Sequence, residues 1–195
     1  MLEHESYRHS HSAPGYGMRY KSTYTRGYYA AQWRDIEKDL LLGLVRKLNP
    51  NLHRSLDFAC GTGRITQALA ECSSHVTGVD VSREMLDEAR QTDRIELVHH
   101  DLTKESLNSK FDVITAFRFF LNAEPQLRAD ALLAIREHLD DTGILIANIH
   151  MSSHSFMGFL YRLIRLVTGK TLHNTMSLDD FAGELQSSGF EVKEV

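Results

Sequence analysis

The period of the apolar positions changes along the chain, and each change marks an element. From Tyr28 to Leu48, the residues Trp33, Ile36, Leu40, Leu41, Leu44, Val45 and Leu48 recur at helical spacing on one face. Asn49-Pro50-Asn51 ends that helix, because proline lacks a backbone donor and disfavours helix in the residue before it. Short apolar runs then alternate with amphipathic stretches. The runs predict strands at 54–59, 75–80, 95–99, 111–117 and 143–149, and the stretches predict helices at 63–72, 83–91, 125–139 and 178–188. This alternation predicts an α/β fold. Its core is a doubly wound, mainly parallel sheet with helices on both faces, preceded by an N-terminal helical cap.

Residues 1–22 carry no apolar period and are expected to form a disordered leader, since their composition buries too little surface to offset ordering. Residues 23–195 are read as a single domain. Within it lie the cap helix at about 28–48, the sheet-bearing core at about 52–150 and a helical insert at about 153–170, followed by a helix and strand at 177–195. The insert holds Phe156 to Val167, apolar except for Arg162 and Arg165. It is read first as a lid, with a homodimer contact and a membrane-surface helix as alternatives. The run Gly189 to Val195 starts a strand and stops, which fits either a chain truncated after Val195 or a shortened end.

Charge and composition narrow the function classes. A net charge of −4 gives no broad phosphate-binding surface, so no nucleic-acid partner is expected. Cys60 and Cys72 lack zinc-ligand spacing, which fits a reduced, cytoplasmic protein. No apolar run approaches the roughly 20 residues a membrane span needs. Eleven histidines invite a metal reading, but His150 and His154, the helically spaced pair, lack the glutamate of zinc hydrolases, so no metal is expected.

The chemistry concentrates in Arg54 to Thr66 and in Asp80, about twenty residues further on. A strand, a glycine turn, a helix start and an acid at the next strand's end form a cradle for a nucleoside. A nicotinamide-binding turn wants a third glycine where Thr66 stands. The frame acid-x-small-x-Gly-x-Gly fits better, through Asp57, Ala59, Gly61 and Gly63. An acid at Asp57 suits a zwitterionic amino-acid ligand, whose ammonium it could accept, better than a pyrophosphate.

Asp57-Phe58-Ala59-Cys60-Gly61-Thr62-Gly63 resembles motif I of the class I S-adenosylmethionine-dependent methyltransferases, which have a Rossmann-like fold. Val76 to Leu86, with Asp80 and Met85, resembles their second motif, and His99-His100-Asp101-Leu102 the third. Phe111 to Phe117 resembles their fourth strand, and Leu139 to Ile146 the turn into the fifth. The resemblance implies a methyltransferase using S-adenosylmethionine, with S-adenosylhomocysteine as product and a small-molecule acceptor methylated at oxygen or nitrogen. It further implies cofactor contacts from Tyr28, Asp57, Ala59, Cys60, Gly61, Gly63, Asp80, Val81, Met85, Asp101, Leu102 and Phe117. Ala59 departs from the family's usual glycine; if it needs a positive φ, the Cβ costs about 1 kcal/mol.

Each acid also has a plainer reading. Asp80 could cap the next helix, with Ser82 competing, and Asp101 could cap a turn before Lys104. Substrate is expected beyond the carboxyl ends of the strands, near Phe117 to Asn122, near Asn148-Ile149-His150, and near Tyr28, Tyr29 and Trp33. Two catalytic candidates lie there. Arg118 could hold a substrate carboxylate or phosphate, or merely pair with Glu124. His150 could act as general base, or hydrogen-bond only locally. An NAD(P)-dependent oxidoreductase and a non-catalytic S-adenosylmethionine-binding protein are the alternatives.

Overall fold

A computed structural model describes Tyr7 and residues 15–149, 152–168 and 175–193. Five parallel strands stand in the order β3-β2-β1-β4-β5. They are β1 (Arg54–Phe58), β2 (His75–Asp80), β3 (Ile95–His99), β4 (Phe111–Ala116) and β5 (Leu139–Ala147). The order reverses between β1 and β4, so the crevice at their carboxyl ends is the switch point where open α/β sheets take ligands.

Side chains alternate across the sheet and build two cores. On one face Leu56, Phe58, Val79, Ile114 and Ala116 pack under α6 (Pro125–His138) and α8 (Leu178–Ser187), through Leu132, Ile135 and Phe181. On the other face Val76, Val113 and Ile146 meet α3 (Lys38–Leu48) and α4 (Arg64–Leu69), through Leu41, Val45, Ile65 and Leu69. The central strands β1, β2 and β4 are buried on both faces, as parallel strands covered by helices are.

The N-terminal segment departs from expectation. Residues 15–23 do not belong to a disordered leader: α1 spans Tyr16–Thr23 and packs on α5 (Arg83–Leu86). Gly17 makes this approach feasible, since a Cβ there would collide with the backbone oxygen of Glu84. Lys21 Nζ donates to Glu88 O (2.9 Å) and Oε2 (3.2 Å), and Gly15 N to Glu84 Oε2 (3.1 Å). The contact is tertiary, so composition did not reveal it.

The expected helix at 28–48 is broken into α2 (Tyr28–Gln32), a π-helical turn (Trp33–Glu37) and α3. The wide turn is closed by Lys38 N donating to Trp33 O, five residues back. Three other boundaries shift. Helix α5 stops at Leu86, β5 begins directly after α6 at Leu139, and the described residues 190–193 form no strand. Helix α7 (Phe156–Thr168) occupies the insert and exposes Phe156, Phe159, Leu163, Leu166 and Val167. Among the described residues, no helix is long and apolar enough to cross a membrane.

Candidate cofactor and acceptor site

After β1 the chain reverses through three left-handed residues, Ala59 (φ 54°), Gly61 (φ 57°) and Gly63 (φ 75°). Cys60 N donates to Val79 O (3.0 Å) and Gly63 N to Cys60 O (3.0 Å), which fixes the turn. At Gly61 a Cβ would press Met85 Cε at 3.1 Å in addition to the strained φ, so glycine is required there. Ala59 does have the positive φ that its family's glycine would take without strain.

Asp80 closes the cradle. Its Oδ2 accepts Gly61 N (2.8 Å) and its Oδ1 accepts Ser82 N (2.8 Å). Ser82 caps α5, accepting Met85 N at its hydroxyl (3.4 Å). The capping task therefore falls to the serine, and the acid is left to tie β2 to the glycine turn.

Asp57 is buried, and neighbours hold both of its oxygens. Thr66 Oγ1 donates to Oδ2 (2.7 Å) and Thr115 Oγ1 to Oδ1 (2.9 Å). Thr115 on β4 and Gly78 on β2 flank Asp57 in register. The missing side chain at Gly78 leaves room for Thr66, since a Cβ would lie 3.1 Å from its hydroxyl. Burial pushes the Asp57 carboxyl up to about 6, against the lowering effect of the two hydroxyl bonds.

The other expected contacts divide. Met85 and Leu102 are buried near the turn or in the adjoining core, and Val81 is 40% exposed. Cys60 is buried, which pushes its thiol well above the usual range and makes it inert. Asp101 Oδ1 accepts the N–H (3.1 Å) and hydroxyl (2.7 Å) of Thr103, the turn-capping role. Phe117 packs half-buried on the α3–α4 core, and Tyr28 is 74% exposed, stacked edge-on against Tyr29. His150 lies outside the described residues.

Arg118 pairs with Glu37, not with Glu124, which instead accepts Tyr7 N (2.8 Å). Arg118 Nη2 lies 3.0 Å from Glu37 Oε1, and Arg64 Nη1 lies 3.4 Å from Oε2. Gln32 Nε2 also donates to Glu37 Oε1 (3.0 Å). Arg64 stands 4.3 Å from the ring centres of both Tyr24 and Trp33, while Arg118 lies 5.4 Å from Tyr24 and 5.2 Å from Tyr29. Glu37, Arg64 and Tyr24 were not singled out from the sequence. A glutamate within an amphipathic helix looks like ordinary solvated charge until the π turn brings it to the arginines.

Among the described residues no group of three or more histidine, cysteine or carboxylate side chains could hold a metal. A glycine turn that a Cβ would obstruct, with a carboxylate at its lip, fits an adenosine-bearing ligand.

Known proteins agree with this geometry. A family model described as a methyltransferase domain matches residues 56–143. The chain is 41% identical over 93 residues to a cypemycin N-terminal methyltransferase from a Streptomyces species, covering 45% of this chain and 38% of that one. It is 32% identical over 109 residues to a dTDP-3-amino-3,6-dideoxy-alpha-D-glucopyranose N,N-dimethyltransferase from Streptomyces fradiae, covering 54% and 43%. The chain thus spans about two-fifths of the length of these curated relatives. Among solved structures, an S-adenosylmethionine-bound amino pentose methyltransferase from Micromonospora echinaspora superposes with a TM-score of 0.59 at 26% identity, covering 71% of this chain and 58% of that one. The magnesium protoporphyrin IX methyltransferase of Synechocystis shares the fold, with a TM-score of 0.76 at 17% identity and coverage of 96% and 89%. Sheet order, the glycine turn with Asp80 at its lip and the family match converge: residues 56–143 are similar to a methyltransferase domain, and the fold is that of S-adenosylmethionine-dependent methyltransferases.

Proposed function

We propose that the protein transfers a methyl group from S-adenosylmethionine to oxygen or nitrogen of a small molecule, nitrogen being favoured. The observation that carries the cofactor half is the Asp80–Gly61 bond, which holds the glycine turn against the acid. The preference for nitrogen is supported by the names of two relatives, one an N-terminal methyltransferase and one an N,N-dimethyltransferase of a 3-amino-3,6-dideoxy-glucopyranose.

Bound S-adenosylmethionine supplies an electrophilic methyl group on a sulfonium. The chain's own residues bind, orient and exclude water. Gly61 and Gly63 admit a ligand close to the backbone, and Asp80, held against Gly61 at the end of β2, sets a carboxylate beside the ribose end of the cradle. Met85 supplies a buried apolar surface against the turn. Tyr24, Tyr29 and Trp33 form an aromatic cover beside the switch point, which shields an in-line displacement from solvent. We assign His150 to take the proton that an amine must lose before or during attack.

Calorimetry with S-adenosylhomocysteine and with NADH tests the cofactor. Binding of the first and not the second is expected, and the reverse overturns the reading. A methyl-release assay across paired primary amines and alcohols then tests the acceptor atom. Faster turnover of the amines is expected.

A further inference from the structure

The Glu37–Arg64–Arg118 cluster has more positive charge than it neutralises. Two guanidinium groups share one carboxylate, and the side chains are 10% (Arg118), 14% (Arg64) and 13% (Glu37) exposed. Arg118 Nε is buried with no hydrogen-bond acceptor among the described residues. A buried donor on a charged group is costly to leave unpaired, which makes Arg118 Nε the point in the cluster best suited to receive an incoming acceptor.

The placement shows what that partner belongs to. Arg64 opens the helix after β1 and Arg118 follows β4, so the two arginines flank the switch-point crevice. Arg118 is held in a left-handed conformation (φ 58°). Asn148 Oδ1 accepts its N–H (2.8 Å) and Asn122 Nδ2 donates to its carbonyl (2.8 Å). Two asparagines thus maintain a strained backbone that fixes the direction of one guanidinium. The cofactor cradle uses the β1 turn and the end of β2, whereas Arg118 and Glu37 lie on the β4 loop and the π turn.

We propose that Arg118, supported by Arg64, is an oxyanion subsite for the acceptor, whose methylated molecule carries a carboxylate or phosphate. Arg118 Nε donates to that anion, which competes with the Glu37 carboxylate for the two guanidinium groups. The inference rests on the methyltransferase reading for the identity of the ligand, and on the cluster alone for its charge.

The test uses benzoate as anion and benzyl alcohol as its neutral counterpart, with and without saturating S-adenosylhomocysteine. Binding is followed by calorimetry and by the Arg Nε–H signals in NMR spectra, with the Arg118 signal identified by its loss in Arg118→Gln. Benzoate is expected to shift the Arg118 signal and benzyl alcohol to leave it in place. Arg118→Gln is expected to weaken benzoate roughly tenfold or more and to change S-adenosylhomocysteine affinity by less than about twofold. Glu37→Gln removes the internal competitor and is expected to tighten benzoate. Three results overturn the proposal: no distinction between the two probes, an unchanged benzoate response in Arg118→Gln, or weaker benzoate binding in Glu37→Gln. A roughly tenfold loss of S-adenosylhomocysteine affinity in Arg118→Gln also overturns it, because the arginine would then hold the cofactor's own carboxylate. If wild-type protein fails to bind S-adenosylhomocysteine, the function proposed above falls. The benzoate measurements without it still decide the subsite.

Discussion

Thr66 Oγ1 lies 2.7 Å from Asp57 Oδ2 and donates to it, joining the first turn of α4 to the end of β1. The residue that breaks a nicotinamide-type glycine pattern is thus the one that satisfies the buried acid. Replacement Thr66→Val keeps the shape and removes the donor. It is expected to destabilise the fold by about 1–3 kcal/mol, read from urea unfolding.

The same acid makes stability depend on pH. The Asp57 carboxyl rises from an ordinary 3.8 to about 6 on folding. Between those values the folded chain keeps a proton that the unfolded chain releases. The stabilisation from Asp57 is therefore complete below about pH 4 and is lost as pH rises through about 6, a change on the order of 3 kcal/mol. Asp57→Asn should remove this slope. Urea unfolding of both proteins at pH 4, 5, 6 and 7 measures the difference, and parallel curves would contradict it.

Ala59 adopts φ 54° where a Cβ is strained. Ala59→Gly is expected to raise stability by about 0.5–1 kcal/mol, the relieved strain being partly offset by the greater freedom of unfolded glycine. Thermal unfolding is the measurement, and a lower midpoint would be inconsistent with strain at this turn.

Asp80→Asn leaves the side chain's volume in place but weakens its hold on Gly61 N and Ser82 N. S-adenosylhomocysteine affinity is expected to fall roughly tenfold or more, with the circular dichroism spectrum retained. Unchanged affinity by calorimetry would remove Asp80 from the binding site.

Gly17→Ala introduces a methyl group where the backbone of Glu84 lies. Helix α1 is expected to lift from α5, so amides of Tyr16 to Thr23 lose exchange protection while those of β1 keep theirs. Hydrogen-exchange mass spectrometry resolves the two regions.

Much of the sheet was legible in the sequence because its short apolar-rich strands, buried on both faces in β1, β2 and β4, are punctuated by turn residues. The glycine turn and Asp80 were legible because their spacing is local. Tertiary contacts hid the rest. Glu37 and Arg118 are 81 residues apart and Glu37 and Arg64 are 27 apart, so no window of sequence shows them together. Nor does the polar, tyrosine-rich stretch Tyr16–Thr23 reveal that one glycine lets it rest on α5. The β5 boundary failed for a different reason: α6 passes into the strand with no intervening loop, so the polar residues Asp140 and Asp141 resemble a turn.

The aromatic cover comes from residues before Asn49, whereas the glycine cradle and the matched methyltransferase domain begin after Arg54. On the proposed reading, donor binding and the cover over the acceptor are therefore written on separate, consecutive stretches of chain. On that reading, the shape of the cover can change through the first fifty or so residues while Arg64 and Arg118 keep the acceptor's charge. The inherited machinery for using the methyl donor need not change.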